Sequence, residues 1–230
     1  MVRFWHDDWV VDFEVLRLQQ LELAKSAVFE GSLEHIKRFV AVDMSANSFL
    51  LGDDAPLFAA AVLLERGQKT PLEVATASLA PDMPYRSGFL TFREAPVILE
   101  ALEKLKGSYD LIWCDGNGLM HPRRAGIATH LGVTLQKPSL GVAKQPLTGS
   151  HKDVALEAGS TQPVLSSSGE ILGTALRSKR NTKLLYVSPG HLCSVQSALG
   201  FVLEHLDGLR IPYPTRLAHD ASNVARKAGG

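Results

Sequence analysis

The sequence predicts an α/β domain: one mixed central β-sheet flanked by helices. Three observations carry that prediction. Three short apolar runs separated by Gly, Asp and Pro turns come first, apolar strands alternating with amphipathic helices follow, and no linker-like stretch divides the chain. A single domain over residues 1–230 is therefore expected, a length that suffices for one well-buried core.

Residues ~8–28 place Val10, Phe13, Leu21 and Ala24 at helical intervals and read as an amphipathic helix packed across the sheet. Ile36–Met44, Leu57–Glu65 and Leu72–Leu79 are strand candidates joined by hairpin turns, an antiparallel meander. From Ala95 the chain alternates helix (APVILEALEKLK), strand (YDLIWCD), helix (PRRAGIATHLG) and strand (PSLGVAK). That alternation calls for parallel strands joined by crossover helices, which makes the sheet mixed. A second hairpin, Val164–Ser168 with Ile171–Ser178, precedes strand LLYVSPG, a helix over Leu192–Leu206 and a last amphipathic helix after Pro214.

Composition narrows the function classes. No apolar run approaches the ~18 residues that a membrane-spanning helix needs. Asp7, Asp8, Asp12 and Glu14 interrupt the stretch where a secretory signal would be unbroken, so a cytoplasmic protein is expected. Cys114 and Cys193 lack metal or redox spacing, and Cys114 lies in an apolar run that suits a buried thiol. The net charge of zero hides an asymmetry. Residues 1–115 hold 18 acids and 11 Lys/Arg (net −7), whereas residues 116–230 hold 6 acids and 13 Lys/Arg (net +7). Positions 116–152 contain no acid but carry Arg123, Arg124, Lys137, Lys144 and Lys152, and positions 171–203 are acid-free as well. A solvated basic face is the plain explanation of such a stretch; beside candidate metal ligands it points instead to a polyanion, with Arg123 and Arg124 on its backbone.

Two acids end apolar runs: Asp43 after Phe39–Val42, and Asp115 after Leu111–Cys114. A carboxylate at the end of a buried strand is unfavourable unless paired, capped or bound to a cation. Either acid alone could equally be a turn or cap residue. Together, on neighbouring strands, they would converge where a hard cation with oxygen ligands sits. Glu94 looks like the end of a capping box with Thr91, but Pro96 belongs at a first helical position, so the helix is expected to start there and leave Glu94 free as a third acid. Lys144, ending the strand Leu140–Ala143, could offset charge building on a phosphate. Among eight histidines, His121 after the loop DGNGLM and His219 in the final helix stand out, though each taken alone reads as a surface histidine.

This constellation resembles the endonuclease V family, the inosine-directed nucleases, from about Asp43 to His219. AVDMSA, GFLTFREAP, YDLIWCDGNGLMHPRRAGIATHLGV, GVAK, VSPGH and PTRLAH carry the resemblance. It implies an RNase H-like fold with a mixed five-stranded sheet, and a Mg²⁺ or Mn²⁺ site on Asp43, Glu94, Asp115 and His219, with Lys144 beside it. The family's wedge motif, Pro-Tyr-Ile-Pro, falls on Pro84, Tyr85, Arg86 and Ser87, so the aromatic ring is kept and the two residues after it differ. A pocket for the flipped base falls on Gly88, Leu90, Gly116, His121, Gly126, Ile127 and Leu147, and Gln145 stands where many relatives have a second lysine. The implied reaction is a nick one nucleotide beyond deoxyinosine on its 3′ side, leaving 3′-hydroxyl and 5′-phosphate ends; a monomer is the default expectation. An enzyme acting mainly on inosine-containing RNA and a non-cleaving reader of distorted strands stay open as alternatives.

Overall fold

The antiparallel meander forms at β1 (Arg38–Ala46), β2 (Leu57–Glu65) and β3 (Glu73–Leu79). These come from a computed structural model, which describes residues 11–46 and 55–229. Before the meander lies α1 (Phe13–Ser26), shorter than the periodicity suggested. Asp12 caps it, accepting from the backbone of Glu14 and Val15 at 2.9 and 3.2 Å, which sets the start; residues 8–10 of the expected helix lie outside the described residues.

The alternating segment follows as α2 (Leu90–Glu103), β4 (Leu111–Asp115), α3 (Ile127–Leu135) and β5 (Ser139–Ala143). Then come β6 (Thr161–Leu165), β7 (Ile171–Leu176), β8 (Leu185–His191), α4 (Val195–Glu204) and α5 (Tyr213–Gly229). α4 starts three residues later than expected, and two helices of this part start five or more residues from the expected positions. α3 begins five residues after Pro122, because Arg124 adopts a left-handed φ of 57° and Gly126 becomes the N-cap. α2 begins six residues before Pro96 and carries the proline inside it, so Glu94 is helical rather than free of the helix.

The sheet has eight strands in the order β3-β2-β1-β4-β5-β8-β7-β6, not five. β1, β4 and β5 pair in parallel, and β8, β7 and β6 extend the sheet antiparallel from β5. Pro163, which cannot donate to a ladder, lies in the terminal strand β6.

Alternation along the strands sorts side chains to two helical layers. Phe39, Ala41, Leu111, Trp113, Leu140 and Val142 join the cluster that packs with α4 and α5. Val40, Val42, Ile112 and Cys114 join the cluster that packs with α2 and α3. Each fully buried side chain of this size contributes about 1.5–3 kcal/mol. Trp113 also donates its indole N–H to Thr215 Oγ1 at 2.9 Å, tying β4 to α5.

Candidate active site

The same alternation places the acids. Asp43 shares its face with Phe39 and Ala41, and Asp115 shares its face with Leu111 and Trp113, so both point toward the α5 layer. β1 and β4 are parallel neighbours, with Val42 opposite Cys114, so the two aspartates stand side by side one step further. β1 does not end at Asp43: it continues to Ala46 along β2 and only loses β4 after Val42. Lys144 follows β5 on the same face, and its Nζ lies 2.8 Å from Asp115 Oδ2.

α5 brings in His219, whose Nδ1 lies 2.9 Å from Asp43 Oδ2. Asp43, Asp115 and His219 each offer a ligand atom, and these atoms all lie within 4.8 Å of one another. Asp43 is only 8% exposed, and burial, then the neighbouring Asp115 charge, push its carboxyl above the ordinary range. Glu94 comes from α2, in the layer opposite α5, and falls outside that three-residue group. It is nonetheless close enough for coupling: burial, then the charges of Asp43 and Asp115, raise it to about 7. Hard carboxylate oxygens from three acids and one imidazole beside them fit a divalent cation.

Beside the acids is a cavity of about 280 Å³, at the small end of ligand cavities. Gly88, Leu90, Gly116, His121, Gly126, Ile127 and Leu147 all line it, as do Glu94 and Asp115. Tyr85 and Ser87 reach its wall, and Tyr85 is 60% exposed; Arg86 is exposed and Pro84 half-buried. Gly126 is needed for close approach, since a β-carbon there would stand 2.1 Å from the Asn117 carbonyl oxygen. His121 is buried and held near 4 by desolvation, then by the Arg123 charge, so its imidazole is neutral. A larger cavity of about 440 Å³, between α1, α2 and His130, lies away from the aspartates.

Arg123 and Arg124, expected on a nucleic-acid backbone, also contact groups of the fold. Arg123 turns to Gln20 and the Gly88 carbonyl and stacks on Phe89; Arg124 pairs with Glu170 at 2.6 Å and lies over Phe29.

Sequence reasoning missed several neighbours. Ser222 Oγ donates to Asp43 Oδ2 at 3.3 Å, and Asn223 Nδ2 lies 3.0 Å from His219 Nε2. Their signal was available, since residues three and four after His219 share its helical face. Asn117 and Thr91 also line the cavity, and Gln20 contacts its wall; nothing in their local sequence marks them.

The family model described as endonuclease V matches residues 21–220. Endonuclease V of Xanthomonas oryzae pv. oryzae is 48% identical over 212 residues, covering 90% of this chain and 86% of that protein. The crystal structure of endonuclease V from Streptomyces avermitilis superposes with a TM-score of 0.87 at 35% identity, covering 96% of each chain. At 24% identity and a TM-score of 0.80, covering 95% of this chain and 100% of the other, Ciona intestinalis endonuclease V shares the fold; that protein was solved with a 24mer DNA containing an inosine followed by a ribo-adenosine. The architecture is RNase H-like, and by the extent of the family match and of these identities the chain belongs to the endonuclease V family.

Proposed function

We propose that the chain is a metal-dependent endonuclease that nicks DNA at the second phosphodiester bond 3′ to deoxyinosine, leaving 3′-hydroxyl and 5′-phosphate ends, and so opens repair of deaminated adenine. The observation that carries this reading is that one residue serves two features: Asp115 belongs to the carboxylate cluster and also lines the small cavity. A base lodged in that cavity would bring its own backbone toward the acids, which couples lesion reading to cleavage.

Asp43, Asp115 and His219 would hold Mg²⁺ or Mn²⁺, with Glu94 acting directly or through water. When bound, the ion supplies Lewis-acid polarisation of the phosphate and a water of lowered pKa. His219 Nδ1 lies against Asp43 Oδ2 and Asn223 Nδ2 against its Nε2, contacts that orient the ring beside the acids. Lys144 offsets charge that develops on the phosphate. Tyr85, an exposed ring at the cavity wall, is placed to fill the stack left by an everted base. The same reading has the protein acting as a monomeric single domain in the cytoplasm; one sheet that takes in every described strand supports the single domain.

Matched inosine- and adenine-containing strands, as DNA and as RNA, with Mg²⁺ or with chelator, test the proposal. Nicking of inosine DNA in Mg²⁺ alone is expected, and Asp43→Ala or Asp115→Ala should each lower it by about 10³-fold or more, since several kcal/mol of transition-state stabilisation depend on the ion. Binding without cleavage, or cleavage that survives both chelator and these substitutions, would overturn it. Faster cutting of the RNA strand would reassign the substrate.

A further inference from the structure

α1 fully buries a single side chain, and it is polar. Gln20 has no exposed surface, while Val15 and Leu18 on the same helix remain exposed. A buried amide without partners costs a few kcal/mol, and both ends of this one are engaged. Its Nε2 donates to the Gly88 carbonyl at 3.0 Å, and its Oε1 accepts from Arg123 Nε. Arg123 Nη2 donates to the same carbonyl at 2.6 Å, and His121 Nε2 lies 3.2 Å from it. Because His121 Nδ1 accepts the Arg123 backbone N–H at 3.2 Å, the ring proton sits on Nε2 and faces Gly88. Three donors, from α1 and from the loop after β4, thus converge on one backbone oxygen.

A second series of contacts grips the same segment. The Arg86 guanidinium lies 5.1 Å from the Phe13 ring centre on α1, Phe13 meets Phe89 edge-on at 5.3 Å, and Arg123 lies 4.5 Å from the Phe89 ring centre. Within the gripped stretch Gly88 holds a φ of +79° that side-chain-bearing residues rarely adopt, and its backbone closes one turn, Phe89 N–H donating to the Arg86 carbonyl at 3.0 Å. It also supplies Tyr85, Ser87 and Gly88 to the cavity wall and leads directly into α2, which carries Glu94.

We propose that Gln20 is a positioning residue for base recognition. Through the Gly88 carbonyl it fixes the segment that carries Tyr85 and the cavity wall before substrate arrives. The inference rests on reading the cavity as the base pocket. An apolar side chain would anchor α1 at lower cost; an amide bonded at both ends to the cavity's own surroundings also fixes their geometry. Loss of the clamp leaves the segment to be ordered on binding, which weakens ground state and transition state alike and appears in KM rather than kcat.

The test compares the full-length wild type with Gln20→Leu. On an inosine-containing strand in Mg²⁺, KM should rise about tenfold with kcat within about threefold, the loss of roughly one hydrogen bond's worth of binding. Amide hydrogen exchange over residues 85–89 should accelerate in parallel. An unchanged KM with unchanged exchange, even if the melting temperature falls, would mean a purely structural anchor and overturn the proposal; so would a loss confined to kcat. Should Gln20→Leu fail to fold, Gln20→Glu keeps the acceptor for Arg123 and withdraws the donor from Gly88, and the same KM shift is expected from it. A wild type with no preference for inosine defeats the functional reading, whereas the exchange rates still decide the clamp.

Discussion

Glu94 shows most directly how single residues trade stability for chemistry. Its carboxyl is raised to about 7 by burial and then by Asp43 and Asp115, so the metal-free fold disfavours its charge. Glu94→Gln removes that charge while keeping the shape. At pH 8 without metal the variant is expected to be more stable than the wild type by on the order of 1–3 kcal/mol, read from urea midpoints. The sign follows from linkage: a folded pKa raised above the unfolded 4.5 gives stability present below 4.5 and lost as pH rises through about 7. Equal stability at pH 8 would contradict the coupling of the three acids. At this scale Asp43 and Asp115 were legible, because a carboxylate after a buried apolar run is conspicuous, whereas Glu94 and His219 took their place from the family resemblance. Gln20 and Asn117 were not, because an amide takes its meaning from partners such as Gly88 and Gln145 that lie far along the chain.

Among the elements, α2 departs furthest from what its sequence promised. Proline chemistry argued for a start at Pro96, yet the helix runs from Leu90 and buries Thr91, Arg93, Ala95, Val97 and Ile98. Burial of that face outweighs the ~3 kcal/mol that an internal proline costs. Pro96 itself is exposed, so replacing it loses little packing. Pro96→Ala restores a donor for the Phe92 carbonyl and removes the ring clash, offset by up to about 1 kcal/mol of unfolded-chain entropy. A net gain of about 1–2 kcal/mol, or a melting temperature higher by about 2–8 °C, is expected in calorimetry; a lower melting temperature would show that the ring is accommodated without strain. α2 also meets α3 through Thr91 Oγ1 and His130 Nδ1 at 2.9 Å, and desolvation holds His130 near 4. The contribution of this half-buried neutral histidine is complete above 6.5 and lost as pH falls through about 4, because the unfolded chain binds protons there that the folded chain does not. Unfolding free energy should therefore fall between pH 7 and pH 4, and His130→Phe should flatten that slope by on the order of 1–3 kcal/mol. An unchanged slope would place the acid sensitivity elsewhere.

For the whole molecule, the sheet is where sequence and tertiary structure divide. Short apolar runs between turn residues and the helix–strand rhythm after Ala95 revealed a mixed sheet flanked by helices, since periodicity is a local property of burial. The resemblance led to five strands; β8, β7 and β6 make eight by pairing onward from β5, and which edge a hairpin joins depends on contacts that no local pattern records. Basic residues divide in the same way. Their clustering after residue 115 was plain, but Arg123 and Arg124 went to Gln20, Gly88 and Glu170 once the fold brought those groups within reach. The sequence by itself determined the class of fold, the family motifs and the candidate acids Asp43 and Asp115, because these depend on residue type, burial period and short-range spacing. Only the tertiary structure decided that Asp43, Asp115 and His219 meet within one ion's reach, that Glu94 approaches from the opposite helical layer, and that α1 holds the cavity wall. Those facts depend on strand order and on helices crossing a sheet, where residues up to 181 positions apart become hydrogen-bonding neighbours.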